Sequence, residues 1–447
     1  MIKSIFTQIW NRKRSNAWIV IELLLVFCAS WYIVDYLFVL SYNYSLPNYH
    51  NTDHTWMVTL GEYPSDYAKY SPENASAEMR LQNFNRVIQA LNDYDGIEAV
   101  GITNWSGGTP GSGNYNGADF YDADDSTTIA DPNSVNDNGD IGGIIGVGLQ
   151  VIQIDRHSDY FRVFGHTTDK GRQAVSTGDF NWAEPHCGVI NSSSARKLFG
   201  DKTAVGRHIT SQHYGDQAVF TVIGVIDDTK RFDWQRPQEV FYEAFPVDTN
   251  TIGQAVISIR SKANQPDHLF AEQFRKDMRS RLAIGNYFLR DIESYDLISA
   301  RAATDFGIAN EIRQRAIFMG FLLLNILLCV VGTFWYRINT RREEIGLKKA
   351  LGSSCRSIRN GFLIEGLCLL ALAALPAIVI EFQFVVADLL ETPYRNNTVY
   401  LPDYKYLRFI ITNAITWALM SCVILVAVWL PARRAAAWAA ADALRDE

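Results

Sequence analysis

Four long apolar runs divide this chain and constrain its fold more than any other feature. They cover Ala17–Leu40, Ala316–Tyr336, roughly Phe362–Leu390 and about Phe409–Leu430. About 20 apolar residues in a helix cross the roughly 30 Å hydrocarbon layer of a bilayer. The sequence therefore predicts an α-helical membrane protein with four spans, in which Pro376 is tolerated as a kink in the third.

Basic residues predict the orientation of the spans. Four Lys/Arg and no acid precede the first run, seven basic and two acidic residues lie in Arg337–Gly361, and Arg433 and Arg434 follow the last run. Short loops rich in Lys and Arg remain in the cytoplasm. We therefore expect all three segments to be cytoplasmic and Ser41–Arg315 to lie outside.

This topology divides the chain into six parts. They are a cytoplasmic N-terminus with the first span (1–40), an extracytoplasmic domain (41–315), the second span (316–336), a cytoplasmic loop (337–361), the third and fourth spans (362–430) and a cytoplasmic tail (431–447).

The large segment between the first two spans has the pattern of an α+β domain. Apolar periodicity predicts helices at Ala75–Leu91, Ser192–Phe199 and His268–Ala283, and strands near Ile97–Thr103, Val147–Ile154, Phe220–Ile226, Val256–Arg260 and Phe288–Tyr295. Its 36 acidic residues against 24 basic ones disfavour nucleic acid as a partner. Cys187 is its only cysteine, so no disulfide within this segment is expected.

Polar side chains in this segment give no metal or catalytic pattern. Trp105–Gly143 is rich in Gly, Asn, Asp and Ser and predicts a long loop or insertion. Its four clustered aspartates could suggest calcium, but they lack the spacing of an EF-hand, and a solvated acidic loop is favoured. They are Asp119, Asp122, Asp124 and Asp125. The histidines and Cys187 have no metal-ligand spacing either, and we expect no catalytic residue or metal.

The cytoplasmic loop predicts a well-delimited helix. Thr340 and Glu343 have the spacing of a capping box, and Glu344 can reach Lys348 one turn later. Gly352 is expected to end the helix. Ser353 or Ser354 would then cap the helix that continues into the third apolar run.

One face of this helix carries Leu347, Ala350, Leu351 and Ser354. Such a narrow apolar stripe suits a groove on another protein, and it also suits lipid headgroups. The residues alone leave both interpretations open.

Two acidic residues lie within the first apolar run. An intramembrane acid is costly unless it is paired or hydrated, so Glu22 is a candidate intramembrane polar site that we expect to face the other helices. Asp35 lies near the far end of the run, where an interfacial carboxylate costs little, and a role for it is less favoured.

Three stretches resemble the MacB-like and FtsX-like ABC transporter permeases. Gly188–Ile209 followed by Phe220–Lys230 resembles the MacB-like periplasmic core domain, in which a strand ends in Asn and a helix ends in Leu-Phe-Gly. The loop helix resembles the FtsX-like signature, and the last 17 residues resemble the tail of that family. Ala440 departs from the proline usual in that tail.

The resemblance implies a permease in the inner membrane whose large periplasmic domain moves when a separate ATPase subunit hydrolyses ATP. The loop helix would be the coupling helix that docks into the ATPase. Its implied contacts are Glu343, Glu344, Ile345, Gly346, Leu347, Ala350 and Leu351. No Walker A motif occurs in the sequence, so ATP and Mg are expected on the partner subunit.

The implied partners are that ATPase and a second permease, either a copy of this chain or a relative, because four spans and one coupling helix make half of such a transporter. A periplasmic adaptor and an outer-membrane channel would serve export or efflux. Two other functions remain open, a regulator of cell-wall hydrolases of the FtsX type and a membrane-anchored receptor that works without ATP.

A pair of reporter fusions tests the topology. A fusion after Leu91 should report a location outside the cytoplasm and a fusion after Ser354 a location inside it, because the short segments richest in basic residues lie at the predicted cytoplasmic ends of the runs. Activity of a phosphatase reporter and fluorescence of a cytoplasmic reporter distinguish the two sides. The reverse outcome at either site would contradict the four-span topology.

Overall fold

The computed structural model describes residues 13–105, 109–111, 116–124, 146–211, 218–263, 266–387, 389 and 405–437. The chain forms two units. Residues Met1–Asn43 and Gly307–Glu447 belong to a helical unit, and Tyr44–Phe306 forms a second unit, here called the large domain.

Long helices build the helical unit. They are α1 (Lys13–Ser45), α7 (Ile308–Thr340), α9 (Cys355–Val386) and α10 (Lys405–Ala437), with the short helix α8 (Arg342–Ala350) between α7 and α9. In the described part of the chain, the four long helices are the ones with the length and composition to cross a membrane. This agrees with the predicted fold class of four spans with a large mixed domain between the first and second.

A shared apolar core holds these helices together. Phe27 of α1, Phe334 of α7, Leu370 of α9 and Val428 of α10 are all almost fully buried within it. The outward faces carry Leu, Ile, Phe and Trp instead of charges, as expected for helices surrounded by lipid.

The large domain has twelve strands and five helices in its described residues. The strands are β1 (Thr55–Glu62), β2 (Ile97–Asn104), β3 (Gly117–Asp122), β4 (Val147–Ile154), β5 (Thr167–Thr168), β6 (Gln173–Ala174), β7 (Cys187–Asn191), β8 (His208–Thr210), β9 (Val219–Ile226), β10 (Val240–Ala244), β11 (Ala255–Ser261) and β12 (Tyr287–Ser294). The helices are α2 (Ala77–Asn92), α3 (Tyr160–Val163), α4 (Ser192–Phe199), α5 (Asp267–Arg281) and α6 (Tyr295–Asp305).

Ten of these strands form one sheet, and part of it closes on itself. The strand order is β10-β7-β9-β8-β3-β4-β2-β11-β1-β12, and β10 also pairs with β4. The first six strands therefore make a closed ring. Alternation along β9 points Phe220 and Val222 inward, where they meet Phe120 and Phe241.

The other four strands, β2, β11, β1 and β12, form an open sheet. Helices α2 and α5 cover one face of it, because each presents an apolar stripe at helical spacing. Phe84, Val87 and Leu91 line that stripe on α2, and Phe270 and Phe274 line it on α5.

The motif that resembles the MacB-like domain is explained by one buried side chain. Asn191 ends β7 and caps α4, since its Oδ1 accepts hydrogen bonds from Ser194 N (3.2 Å) and Oγ (2.6 Å). The same oxygen accepts from Val240 N (3.1 Å), and Asn191 Nδ2 donates to Gln238 O (2.6 Å). Asparagine at this point thus joins β7, α4 and β10.

Residues 116–124, within the stretch that the composition predicted to be a loop, are largely a strand. Gly117–Asp122 is strand β3, whose backbone pairs with β4 and β8. Asp122 accepts hydrogen bonds from Arg207 Nη1 (2.7 Å) and Asp124 N (2.9 Å), and Asp124 accepts from His208 N (2.9 Å). Asp122 and Asp124 therefore stabilise the end of β3, and the loop prediction is wrong for this part. Asp125 and most of the stretch from Trp105 to Gly143 lie outside the described residues.

Two histidines are packed near each other inside the large domain. His166 is 2% exposed among the rings of Tyr160, Phe161 and Tyr242, and its ring centroid lies 6.1 Å from that of His50. Burial lowers the pKa of His50 from the ordinary 6.5 to about 4, aided by the charge of Lys230, and burial also lowers the pKa of His166.

The buried histidines predict acid sensitivity. Between about pH 6.5 and 4 the unfolded chain binds protons that the folded domain does not, so the free energy of unfolding should fall as the pH falls through this window. His166→Phe should weaken this dependence because one of the two titrating groups is gone. Thermal unfolding of the solubilised protein across this range is the measurement. The exposed His268, replaced by Phe, is the matched control, and an equal dependence in both variants would contradict the prediction.

Candidate functional site

The short helix α8 exposes most of the residues that the sequence marked as contacts. Leu347 is 55% exposed and Leu351 79% exposed. Glu343, Glu344 and Ala350 are exposed beside them.

The other two marked residues point inward. Ile345 and Gly346 are buried, and Ile345 belongs to the apolar core of the helical unit. The helix is therefore two-sided, with one face seated on its own chain and the other free.

The predicted capping box at the start of this helix is wrong. Thr340 is the last residue of α7, and its Oγ1 donates to Tyr336 O at 2.9 Å within that helix. Arg341 occupies the N-cap of α8 without a side-chain cap. The chain thus passes from α7 into α8 with a single residue between them.

The end of α8 follows the prediction. Gly352 has a φ of +91°, which favours glycine, and its N–H donates to Lys349 O while Ser353 N donates to Lys348 O. Ser354 Oγ then accepts from Ser357 N at 3.2 Å and caps α9. The turn between α8 and α9 is therefore tightly fixed.

A buried ion-pair cluster anchors the base of α8. Glu365 of α9 accepts from Arg337 Nη1 at 3.1 Å and from Arg341 Nη1 at 2.8 Å. Arg337 also donates to Asn16 Oδ1 of α1. All three charged side chains are 6–7% exposed.

This cluster joins four elements through one carboxylate. Arg337 lies in the last turn of α7 and Arg341 at the start of α8, while Glu365 and Asn16 belong to α9 and α1. Buried charges are expensive unless they are paired and hydrogen-bonded, so the guanidinium forks and the carboxylate hold each other in place. The cluster therefore ties the start of α8 to α7 and α9.

Sequence reasoning did not single out these residues. Arg337 and Arg341 counted only as positive charge in the loop, and Glu365 fell inside the third apolar run. A signal was present, because two arginines four residues apart share one helix face and a lone acid stands early in the following span. Only the packing shows that they meet.

The two acids marked in the first span both contact other helices. Cys329 Sγ of α7 donates to Glu22 Oε2 at 2.8 Å, as expected for a side chain that faces the bundle. Asp35 is 3% exposed and both of its oxygens accept from Arg408 of α10, one of them from Nε at 2.8 Å. The expectation of a cheap interfacial position for Asp35 is therefore corrected to a buried ion pair.

The large domain contains a cleft of about 730 Å³. Several polar groups that line it are hydrogen-bonded to neighbouring residues of the domain. Ser158 Oγ donates to Asp155 O and accepts from Ile102 N, both at 2.9 Å. Asp159 accepts from Ser176 Oγ at 3.0 Å and from Thr177 N at 2.9 Å. These contacts fix turns, and no group of three metal-ligating residues is found among the described residues.

Comparison with known proteins places the site in a family. Residues 316–437, which include α8 and Glu365, match the model of the FtsX-like permease C-terminal domain. This region is therefore similar to FtsX-like permease domains. The resemblance to MacB-like and FtsX-like permeases noted from the sequence is thereby confirmed.

Relatives extend the likeness beyond the permease domain. The chain is 26% identical over 310 residues to the "Macrolide export ATP-binding/permease protein MacB" of Chromobacterium violaceum, a match that covers 68% of this chain and 44% of the relative. The chain thus spans less than half of that relative's length.

Two solved structures resemble part of this chain. The periplasmic region of MacB from Actinobacillus actinomycetemcomitans has 13% identity and a TM-score of 0.31, covering 56% of this chain and 93% of its own. The extracellular domain of the ABC-type transporter YknZ from Gram-positive bacteria has 15% identity and a TM-score of 0.27. The match covers 53% of this chain and 100% of that domain.

Removing the shared carboxylate should loosen α8. Glu365→Gln leaves two buried arginines without an anion, and breaking a buried ion pair from one side typically costs about 3–5 kcal/mol. Glu98→Gln is the control, because its pair with Arg162 is exposed and should contribute about 1 kcal/mol or less. Thermal unfolding of the purified permease compares them. Equal midpoints for the two variants would contradict a structural role for Glu365.

Proposed function

We propose that this permease couples ATP hydrolysis on a separate ATPase subunit to movement of its large domain, for export or extraction of a substrate. The observation that supports this most directly is the exposed face of α8. Leu347 and Leu351 project from a short helix whose other face is fixed by Ile345 and by the Glu365 cluster.

The charges on this face favour a protein groove over lipid headgroups. Helices that lie on a membrane surface carry mainly Lys and Arg beside their apolar residues, because the cytoplasmic leaflet of the membrane contains anionic lipids. Here Glu343 and Glu344 are exposed at the start of the helix, next to Leu347. The two carboxylates would be repelled by anionic lipid while the exposed Lys348 would be attracted to it. A protein groove with charges of both signs therefore suits this face better than a uniformly anionic surface.

The five exposed residues make the proposed ATPase contact, and the two buried ones support it from behind. Ile345 and Gly346 bring α8 close to the bundle, so that displacement of the outer face displaces the whole helix. The exposed set is Glu343, Glu344, Leu347, Ala350 and Leu351.

Force would pass from α8 along two routes. Arg341 and Arg337 connect it through Glu365 to α9 and α7, and Asn16 connects α1 to the same cluster. Helices α1 and α7 are the two that continue along the chain into the large domain. An ATPase that moves α8 would therefore act on both connections to that domain.

The proposed assembly contains an ATPase subunit that binds ATP and Mg, and a second permease that is either a copy of this chain or a relative. It lies in the inner membrane with the large domain in the periplasm. A periplasmic adaptor and an outer-membrane channel would complete an efflux route.

A charge on the exposed face tests the contact. Leu347→Asp should place an unpaired carboxylate in a desolvated contact, which costs a few kcal/mol and should lower association with the ATPase more than tenfold. Co-purification of the ATPase subunit and ATP turnover in membranes are the measurements. Ser353→Asp is the matched control, since Ser353 is also exposed but lies beyond the helix.

The stability of the permease should be unaffected in both variants, because Leu347 makes little contact with its own chain. Equal recovery of the ATPase with Leu347→Asp and Ser353→Asp would overturn the proposed docking face. A receptor that works without ATP would recover no ATPase with the wild-type protein either.

A further inference from the structure

One fully buried acidic side chain of the bundle has no ion-pair partner among the residues that the structure describes. Glu381 of α9 is 1% exposed, and neither carboxyl oxygen has a hydrogen-bond donor among the described residues. It lies near the end of α9, inside a candidate span.

The groups around this carboxyl come from two other helices. The neutral Asn413 of α10 and Cys28 of α1 are beside it, and the nearby charge that acts on it is the acid Asp35. Arg408 is a buried basic residue of α10, and it donates to both oxygens of Asp35. Phe382 follows Glu381 in the sequence. Its ring packs against Phe409, and Phe409 also packs against Trp31.

The side-chain oxygen of Asn413 lacks a hydrogen-bond donor, and a protonated Glu381 has one to offer. Its Nδ2 donates to Phe409 O at 3.1 Å, while its Oδ1 is buried without a donor. An ionised Glu381 would add two more acceptors to a place that already has an unsatisfied acceptor. A neutral carboxylic acid provides the missing O–H donor.

The other buried acids of the bundle show the contrast. Asp35 is paired with Arg408, and Glu365 with Arg337 and Arg341. Taking an unpaired carboxylate out of water costs many kcal/mol, and such a group keeps its proton instead. Three buried acids in one bundle thus divide into two paired anions and one without a cation.

We propose that Glu381 is a proton-binding site inside the helical unit, occupied while α1, α9 and α10 are packed together. When these helices separate enough to admit water, the carboxyl gives its proton to water and becomes an anion, and repacking requires that a proton return. Proton binding at Glu381 is thereby linked to closure of this part of the bundle. This proton site does not depend on the proposed ATPase partner.

Infrared spectroscopy of the whole solubilised protein at neutral pH tests the site directly. A protonated carboxylic acid has a carbonyl stretch separate from the bands of ionised carboxylates and of the backbone. The wild-type spectrum should contain this band, and Glu381→Gln should remove an intensity that corresponds to one carboxyl per chain. Glu78→Gln is the control, because Glu78 is exposed and its loss should leave the band unchanged.

Stability measurements give an independent readout. Glu381→Gln keeps a donor for Asn413 and should unfold within a few degrees of the wild type at neutral pH, whereas Glu381→Ala should unfold at a lower temperature.

An unchanged carbonyl band in Glu381→Gln would overturn the proposal, since the side chain would then be ionised. A carboxylate that responds to added sodium or potassium would also overturn it in favour of a metal cation. If Glu381→Gln does not fold, modification of the wild-type protein with a hydrophobic carbodiimide replaces it. That reagent attacks protonated carboxyls, so Glu381 should be modified in preference to Asp35 and Glu365, and the reverse preference would refute the site.

Discussion

The helical unit depends on one carboxylate that is shared by two arginines. Glu365 takes both Arg337 and Arg341, and without it two guanidinium groups would be buried at the junction of α7 and α8 with no anion. Glu365 thus forms a junction of three helices. It fixes the end of α7, the beginning of α8 and the early turns of α9 relative to one another. The exposed leucines of α8 have a defined position only because this junction holds the opposite face of the helix.

At the other end of the bundle, a second buried ion pair joins two helices. Asp35 and Arg408 join α1 to α10 as a paired anion and cation, and Trp31 Nε1 adds a hydrogen bond to Thr412 Oγ1 at 3.0 Å. Apolar packing between membrane helices is not favoured by water, so polar contacts of this type select which helices become neighbours. Glu381 differs from both clusters, because the described residues around it supply no cation.

The sequence predicted those features that depend on local pattern. The four spans follow from apolar runs, and strand β4 and helix α4 were placed with the bounds that the structure has, since the flanking Asn191 and Gly200 delimit α4. Strands β1 and β10 were not predicted, because they are stabilised by partners more than 40 residues away along the chain. The meeting of Glu365 with Arg337 and the pairing of Asp35 with Arg408 could not be predicted, because each depends on how separate helices pack.

Closure of the strand ring in the large domain also affects its solubility. The six strands from β10 to β4 satisfy each other's backbone groups around the ring, so the main sheet has one open edge, along β12, within the described residues. Open edges invite pairing with other chains, and proteins protect them with charges and irregularities. Arg290, Asp291 and Glu293 lie on this edge, and the register with β1 is interrupted between Thr59 and Leu60. These charges and this irregularity thus protect the β12 edge of the main sheet against pairing with other chains.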